Sequence, residues 1–464
     1  MNSRSDLAFE LLNELNQLHS LKQQPSTSAL FNRQAMENLL PLDQDLFEHF
    51  SQGPIIEPHF VHIHQAFEHQ ALTNPDSIAA CHNDESITYA ELNAQAEALA
   101  ELLMHYGVSQ EDNLGLFTPP SIASLVGMLA ILKSGATYVP QDIDQTSIAA
   151  LKHITESTSI KIILTLSHCT EKMPKTHEHM RIYIDHFIQQ NKKSHHKLST
   201  INKKRATKNH SPYSTILFEP GTASEINGTQ ITHKNLCQTF LTYPGHLNIS
   251  RGNKVSQMHS ISNSLSLWEI WSCLSHGGTL IINDQQPFDT LIQCHTIIVT
   301  TDILELLNPD QCSNLKVIAV IGNQCSKALV DKWVDQCTFY CYWGVLESTI
   351  IATAKRYHSD NDQVTLGSPV PNHTTYILDT NLLPCPIGEI GEVWAGGSCI
   401  SKDYLSIDSE RKKRFYPDPF LGDNHKMFPT QLMARWTKNG ELEPMSTEES
   451  LLEDYNSPPE NAAD

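Results

Sequence analysis

No stretch of this 464-residue sequence approaches the roughly 18 consecutive apolar residues that a membrane crossing needs, which excludes a membrane span. The start, MNSRSDLAFELLNELNQL, is an amphipathic helical pattern broken by Glu10, Asn13 and Glu14. It lacks the apolar core of a secretory signal, so a cytoplasmic location is expected. CxxC pairs are absent as well. Eleven scattered cysteines, an odd count, fit reduced and mostly buried thiols better than a disulfide framework. Cys337 and Cys341 lie close together, but no second ligand pair stands at a spacing that suits zinc. Positive charge is scarce: 32 Lys and Arg face 52 Asp and Glu, for a net charge of −20. That balance argues against a general nucleic-acid binder, which concentrates cations to displace counterions from phosphates. The run Lys192–Lys208 is the exception, with seven basic residues and no acid. It reads as a solvated surface loop, with contact to an acidic partner, RNA or anionic lipid as the alternative. The 24 histidines form no HExxH or comparable ligand set.

What is present is a soluble composition, 40% hydrophobic and 18% charged, in a chain long enough for two or three domains or one large unit. Residues 1–55 are polar and helix-prone and read as a leader and linker. Thr88 and Glu91 then make a capping box ahead of Leu92, Ala96, Leu99 and Leu103, which predicts an amphipathic helix over Tyr89–His105. Short apolar runs at Lys161–Leu166, Thr279–Ile282, Thr296–Val299 and Val317–Ile321 read as buried strands. They alternate with helical segments such as Ser326–Val334, which predicts α/β layering with largely parallel sheets over 56–378. Glycines 388, 391, 396 and 397 punctuate a β-rich unit over 379–444, and the acidic tail 445–464 is expected to be disordered.

Several segments, taken in order, resemble the adenylation domains of nonribosomal peptide synthetases, members of the adenylate-forming superfamily. HIHQAFEHQALTNPDSIA with ITYAELNAQAEALAELL is similar to the family's opening, and ILKSGATYVPQD to its second core motif. GSPVPNHTTYILD, PIGEIGEVWAGGSCISKDYL and RFYPDPF are similar to its closing β-rich segment. The resemblance implies the large N-terminal lobe of that fold, layered αβαβα, with a small barrel-like β unit. It also implies ATP and Mg²⁺ as cofactors and a carboxylic acid as substrate. Nothing after Glu443 resembles the family's small C-terminal lobe, whose lysine promotes adenylation, so the large lobe alone is expected.

The chemical motifs depart from the family. Its phosphate loop, YTSGTTGKPKG, aligns on Phe218–Gly228 and leaves Gly221, Thr222 and Gly228 as candidate ATP contacts. Ser224 replaces a glycine, Asn227 replaces the lysine, and Glu219 and Glu225 add negative charge. Losing such a preorganised charge clamp commonly costs about 3–4 kcal/mol of transition-state stabilisation. The family's FDxSVWEIF aligns on Asn263–Trp271 and puts Ser264 where an aspartate would hold an amino acid's ammonium. Trp268, Ile270 and Trp271 are expected in the core. NxYGPTE aligns on Cys341–Glu347. It keeps Gly344 and the implied Mg²⁺ ligand Glu347, offers Trp343 to stack on adenine, and has Leu346 for the threonine. YRTGDLxRW aligns on Phe428–Trp436 with Leu432 at the ribose-gripping aspartate; a one-residue shift offers Gln431 instead. The resulting expectation is a degenerate adenylation-like protein, catalysis lost, that binds a ligand, a protein partner or a carrier protein, with weak or absent ATP binding. The alternatives are a working ATP-dependent ligase for a small carboxylic acid, with altered site residues or a lobe supplied by a partner, and a relic with no present role.

Overall fold

The computed structural model describes residues 31–174, 179–193, 210–218, 228–283, 287–322, 325–359, 363–401, 404–405, 414–422 and 425–445. The basic run from 194 onward, the loop positions Gly221 and Thr222, and the tail beyond Met445 lie outside them.

Local chemistry starts the predicted helix Tyr89–His105. The Glu91 amide donates to Thr88 Oγ1 at 3.2 Å, and the Thr88 amide donates to the Glu91 carboxylate at 3.0 Å. Tyr89, Leu92, Ala96, Leu99 and Leu103 form its buried side, which packs on helix Ile122–Ser134. That second helix is buried at every position from Ser124 to Ser134, as a helix enclosed between two sheets must be.

Among the described residues one sheet has seven strands. Tyr213–Phe218, Thr137–Gln141, Asn113–Phe117, Ile162–Thr165 and Met180–Tyr183 run parallel, and Gly228–Thr232 and Tyr404–Leu405 continue it antiparallel. A nine-stranded sheet has a parallel centre that includes Thr279–Ile282, Thr296–Thr300, Val317–Ile321 and Thr338–Trp343. Apolar runs buried on both faces produce this arrangement, as the sequence predicts. Helix Ile122–Ser134 touches strands of both sheets, His233–Phe240 packs on Gly228–Thr232 of the seven-stranded sheet, and Ser264–Leu274 packs on Thr279–Ile282 of the nine-stranded sheet. The fold is therefore layered α/β.

Strand alternation divides the core in two. Tyr340 and Tyr342 point into the cluster between the sheets with Leu129 and Trp268. Phe339, Cys341 and Trp343 point to the opposite face with Trp333 and Ile297. A smaller antiparallel sheet contains His373–Leu378, Gly391–Gly397 and Lys426–Trp436. Helix Pro41–Ser51, in the stretch the sequence assigns to a leader and linker, packs Phe47 against Tyr376 and Phe420 of this unit. The Tyr376 hydroxyl donates to the buried Asp418 at 2.9 Å. All eleven cysteines are free thiols, with only Cys81 and Cys337 partly exposed. Among the described residues no helix is long and apolar enough to cross a membrane.

Candidate functional site

Crevices in parallel α/β sheets form beyond the carboxyl ends of the strands. Ile321 ends one central strand, Gly344 follows the next, and the first turn of helix Ser264–Leu274 stands opposite. Ser264, Leu265, Ile321, Gly344, Val345, Leu346, Glu347 and Ile350 line a cleft of about 310 Å³ there. The structure thus brings Ser264, Gly344 and Glu347 together, although they come from distant motifs.

Backbone constraints explain the glycine. A Cβ on Gly344 would stand 2.4 Å from the Ile350 carbonyl oxygen and 2.7 Å from the Ala352 nitrogen. The turn it permits is closed by Ala352 N–H donating to the Trp343 carbonyl at 2.7 Å and by Ile350 N–H donating to the Val345 carbonyl at 3.0 Å. Thr349 and Ile350 sit at φ 57° and 76°. Such conformations cost of order 1–3 kcal/mol each, so the surrounding bonds hold a strained turn in the cleft wall.

Ser264 opens its helix, which Asn263 caps by accepting the Leu265 amide at 2.8 Å. A helix N-terminus carries partial positive charge, so without an aspartate this end suits an anion better than an ammonium. The loop ahead of it is tied to Glu269, which accepts the amides of Met258 at 2.9 Å and His259 at 3.2 Å and the His259 ring at 3.0 Å. Burial pushes the His259 ring down, but the charge and hydrogen bond of Glu269 outweigh it and hold its pKa above the ordinary value. One turn below Ser264, the buried Trp268 meets Tyr342 edge to face at 4.7 Å. Trp268 Nε1 donates to the Gly245 carbonyl at 2.7 Å and the Tyr342 hydroxyl to the Pro244 carbonyl at 3.1 Å. Trp268 and Tyr342 therefore form a fixed aromatic pair in the core, one turn along the helix that Ser264 opens.

Among the described residues that line the cleft, Glu347 is the only carboxylate and none is Lys, Arg or His. The hydroxyl of Tyr404 donates to its Oε1, and its backbone carbonyl accepts the Ser401 amide at 2.7 Å. Among the described residues that line it, the cleft thus offers one hydrogen-bonded carboxylate, of the kind that can hold a hard cation such as Mg²⁺, and no cation for the phosphates themselves. Tyr404 sits on a short strand in which it pairs with Thr229 and Leu405 pairs with Gly228, so the exit of the phosphate-loop segment approaches Glu347.

The other candidates fall elsewhere. Gly228 is buried, and a Cβ there would lie 2.8 Å from both Ile216 and the Phe218 ring, so packing accounts for this glycine. Trp343, expected to stack on adenine, is 2% exposed, packs in the apolar cluster behind the sheet, and is not among the described residues that line the cleft. Leu432 leans on that same cluster, while Gln431 is exposed and its amide donates to Glu392 at 3.0 Å. Trp268, Ile270 and Trp271 are buried as expected. Sequence reasoning missed Tyr404, which lies 57 positions from Glu347, and the pairing of His259 with Glu269, ten positions apart across the loop that leads into the helix.

A family model for AMP-binding enzymes matches residues 67–405. Adenylate-forming reductase 06235 of Coprinopsis cinerea is 33% identical over 410 residues, covering 88% of this chain and 40% of that protein. Gramicidin S synthase 1 of Brevibacillus brevis is 28% identical over 398 residues, covering 82% of this chain and 35% of that one. The chain thus spans well under half the length of these relatives. The Klebsiella oxytoca NpsA N-terminal subdomain in complex with 3-hydroxybenzoyl-AMSN superimposes with a TM-score of 0.72 at 19% identity, over 84% of this chain and 100% of that one. This chain belongs to the AMP-binding enzyme family and is homologous to the adenylation domains of nonribosomal peptide synthetases.

Proposed function

We propose that this chain is an adenylation-type scaffold that binds a small ligand or a protein partner without forming an acyl-adenylate. One observation carries the reading: the cleft offers a single carboxylate, Glu347, already hydrogen-bonded to Tyr404, and no cation among its described lining residues. Three substitutions support it independently, Asn227 for the phosphate-loop lysine, Ser264 for the ammonium-holding acid and Leu432 for the ribose-gripping acid. Groups that act as a unit in catalysis are generally disabled by the loss of one. Scattered free thiols, most of them buried, agree with a cytoplasmic setting. Pyrophosphate exchange over carboxylic acids with and without an α-amino group tests the proposal. No acid-dependent exchange is expected, and a robust signal with any acid overturns it.

A second reading has one observation in its favour, that Ser264, Gly344 and Glu347 do share one cleft. It makes the chain part of an ATP-dependent ligase with altered site residues or a C-terminal lobe from another chain. It would take a small carboxylic acid without an α-ammonium, with Mg²⁺ at Glu347 and a carrier protein as acceptor. Exchange confined to acids that lack the amine would select it.

A further inference from the structure

Away from the cleft, four histidines from three separate stretches of chain meet. His62 immediately precedes helix Ile63–Thr73, and His64 lies in its first turn. His233 begins helix His233–Phe240, and His210 leads into strand Tyr213–Phe218. The ring centroids stand 4.5 Å apart for His62 and His210, 4.9 Å for His62 and His233, and 5.2 Å for His64 and His210. His64 is 5.5 Å from His233 and 5.7 Å from His62.

One bond in this group exists in a single protonation state. His233 Nδ1 accepts the amide of Ile63, the first residue of its helix, at 3.3 Å. Only a neutral ring can do so, because an imidazolium carries a proton on both nitrogens and has no acceptor left. His64 is 3% exposed and its Nδ1 has no hydrogen-bond partner, so a proton added there would gain no acceptor. The charges that act on it are those of His233, Lys133, His210 and His62, all positive when present. Glu68 of the same helix is ion-paired with Lys133. Helices Ile122–Ser134 and His233–Phe240 contain no acid, and no acid of helices Tyr89–His105 or Ser264–Leu274, which also touch Ile63–Thr73, is among those charges. Burial therefore holds His64 well below its ordinary pKa, lowers that of His62, and pushes His233 down to about 3.

We propose that His62, His64, His210 and His233 form an acid-sensitive latch on the scaffold. Neutral rings hold the start of helix Ile63–Thr73 against helix His233–Phe240 and the chain ahead of strand Tyr213–Phe218. Acid turns the Nδ1 acceptor of His233 into a donor facing the Ile63 amide and sets like charges 4.5–5.7 Å apart, which drives the helix start outward. Released rings titrate at about 6.5. Because their folded pKa values are depressed, the stability they contribute is complete above about 6.5 and is lost as pH falls toward about 3. Helix Ile63–Thr73 also touches helix Ser264–Leu274, whose first residue lines the cleft, so its release removes one support of that wall.

Hydrogen exchange of the full chain between about pH 7.5 and about pH 6.0, corrected for the intrinsic effect of pH on exchange, tests the latch. Protection over residues 60–73 should fall at least about tenfold, the effect of two rings that charge only on release, while strand Val317–Ile321 stays the better protected. His64→Phe removes one of those protons and should reduce the fall about fourfold. Proton NMR of the wild-type rings needs no variant, and it should find His64 neutral at about pH 6.5. A smaller fall in the wild type, an undiminished fall in His64→Phe, both segments exchanging together at the lower pH, or a charged His64 in the closed fold overturns the proposal.

Discussion

Helix Ile122–Ser134 and the turn Gly344–Ile350 are built under different constraints. Every helix position from Ser124 to Ser134 is buried, so each side chain is held by volume and apolar transfer, and those demands do not depend on chemistry. In the turn, Gly344 is fixed by its backbone neighbours, while Val345, Leu346 and Glu347 face a cleft, as Ser264 does across from them. A side chain that faces open space is held mainly by what it binds. In the packed layer every position is fixed by its neighbours, whereas in the turn backbone geometry fixes Gly344 and leaves the side chains that face the cleft free to differ.

Four substitutions probe that contrast, in descending order of effect. Trp268 is a fully buried core residue of the packed layer, so Trp268→Ala should cost about 3–5 kcal/mol in urea unfolding. A loss below about 1 kcal/mol would show that Trp268 is not held by the packed layer. Gly344→Ala should cost about 1–3 kcal/mol, since its Cβ meets backbone that cannot move cheaply; a neutral outcome would break the claim that backbone geometry preserves this residue.

The third probe is pH. His276 donates from Nδ1 to the Ser272 carbonyl at 2.9 Å and its ring lies 5.3 Å from His246. Burial holds its pKa down to about 4, below an unfolded value of about 6.5. Its folded pKa is depressed, so the stability it contributes is complete above the unfolded value and is lost as pH falls from about 6.5 to about 4. The slope reaches about 1.4 kcal/mol per pH unit. His276→Asn should flatten the fall of the thermal midpoint between pH 7 and 5, and an unchanged slope would refute the assignment. His259, with its pKa raised by Glu269, acts with the opposite sign and loses its contribution as pH rises. Smallest in stability is Tyr404→Phe, expected at about 1 kcal/mol, yet it frees the Glu347 carboxylate. Mg·ATP affinity that improves in this variant would show that the Tyr404 hydrogen bond holds the site closed.

Much of the scaffold is legible in the sequence because its signals are local. The Thr88–Glu91 capping box sets a helix start, and unbroken apolar runs give Thr279–Ile282 and Val317–Ile321 as strands. The cleft residues Ser264, Gly344 and Glu347 were legible through motif order. The face that Trp343 takes is not legible in motif position, whereas alternation along Thr338–Trp343 sends it behind the sheet. Tyr404, the packing role of Gly228 and the meeting of His62, His64, His210 and His233 arise only when distant segments are brought together, and no spacing rule reports them.

Calorimetric titration of the intact chain with Mg·ATP tests the central claim most directly. The account predicts no saturable heat, or a Kd weaker than about 1 mM, equivalent to less than about 4 kcal/mol of binding. Micromolar binding that is lost in Glu347→Gln would contradict it.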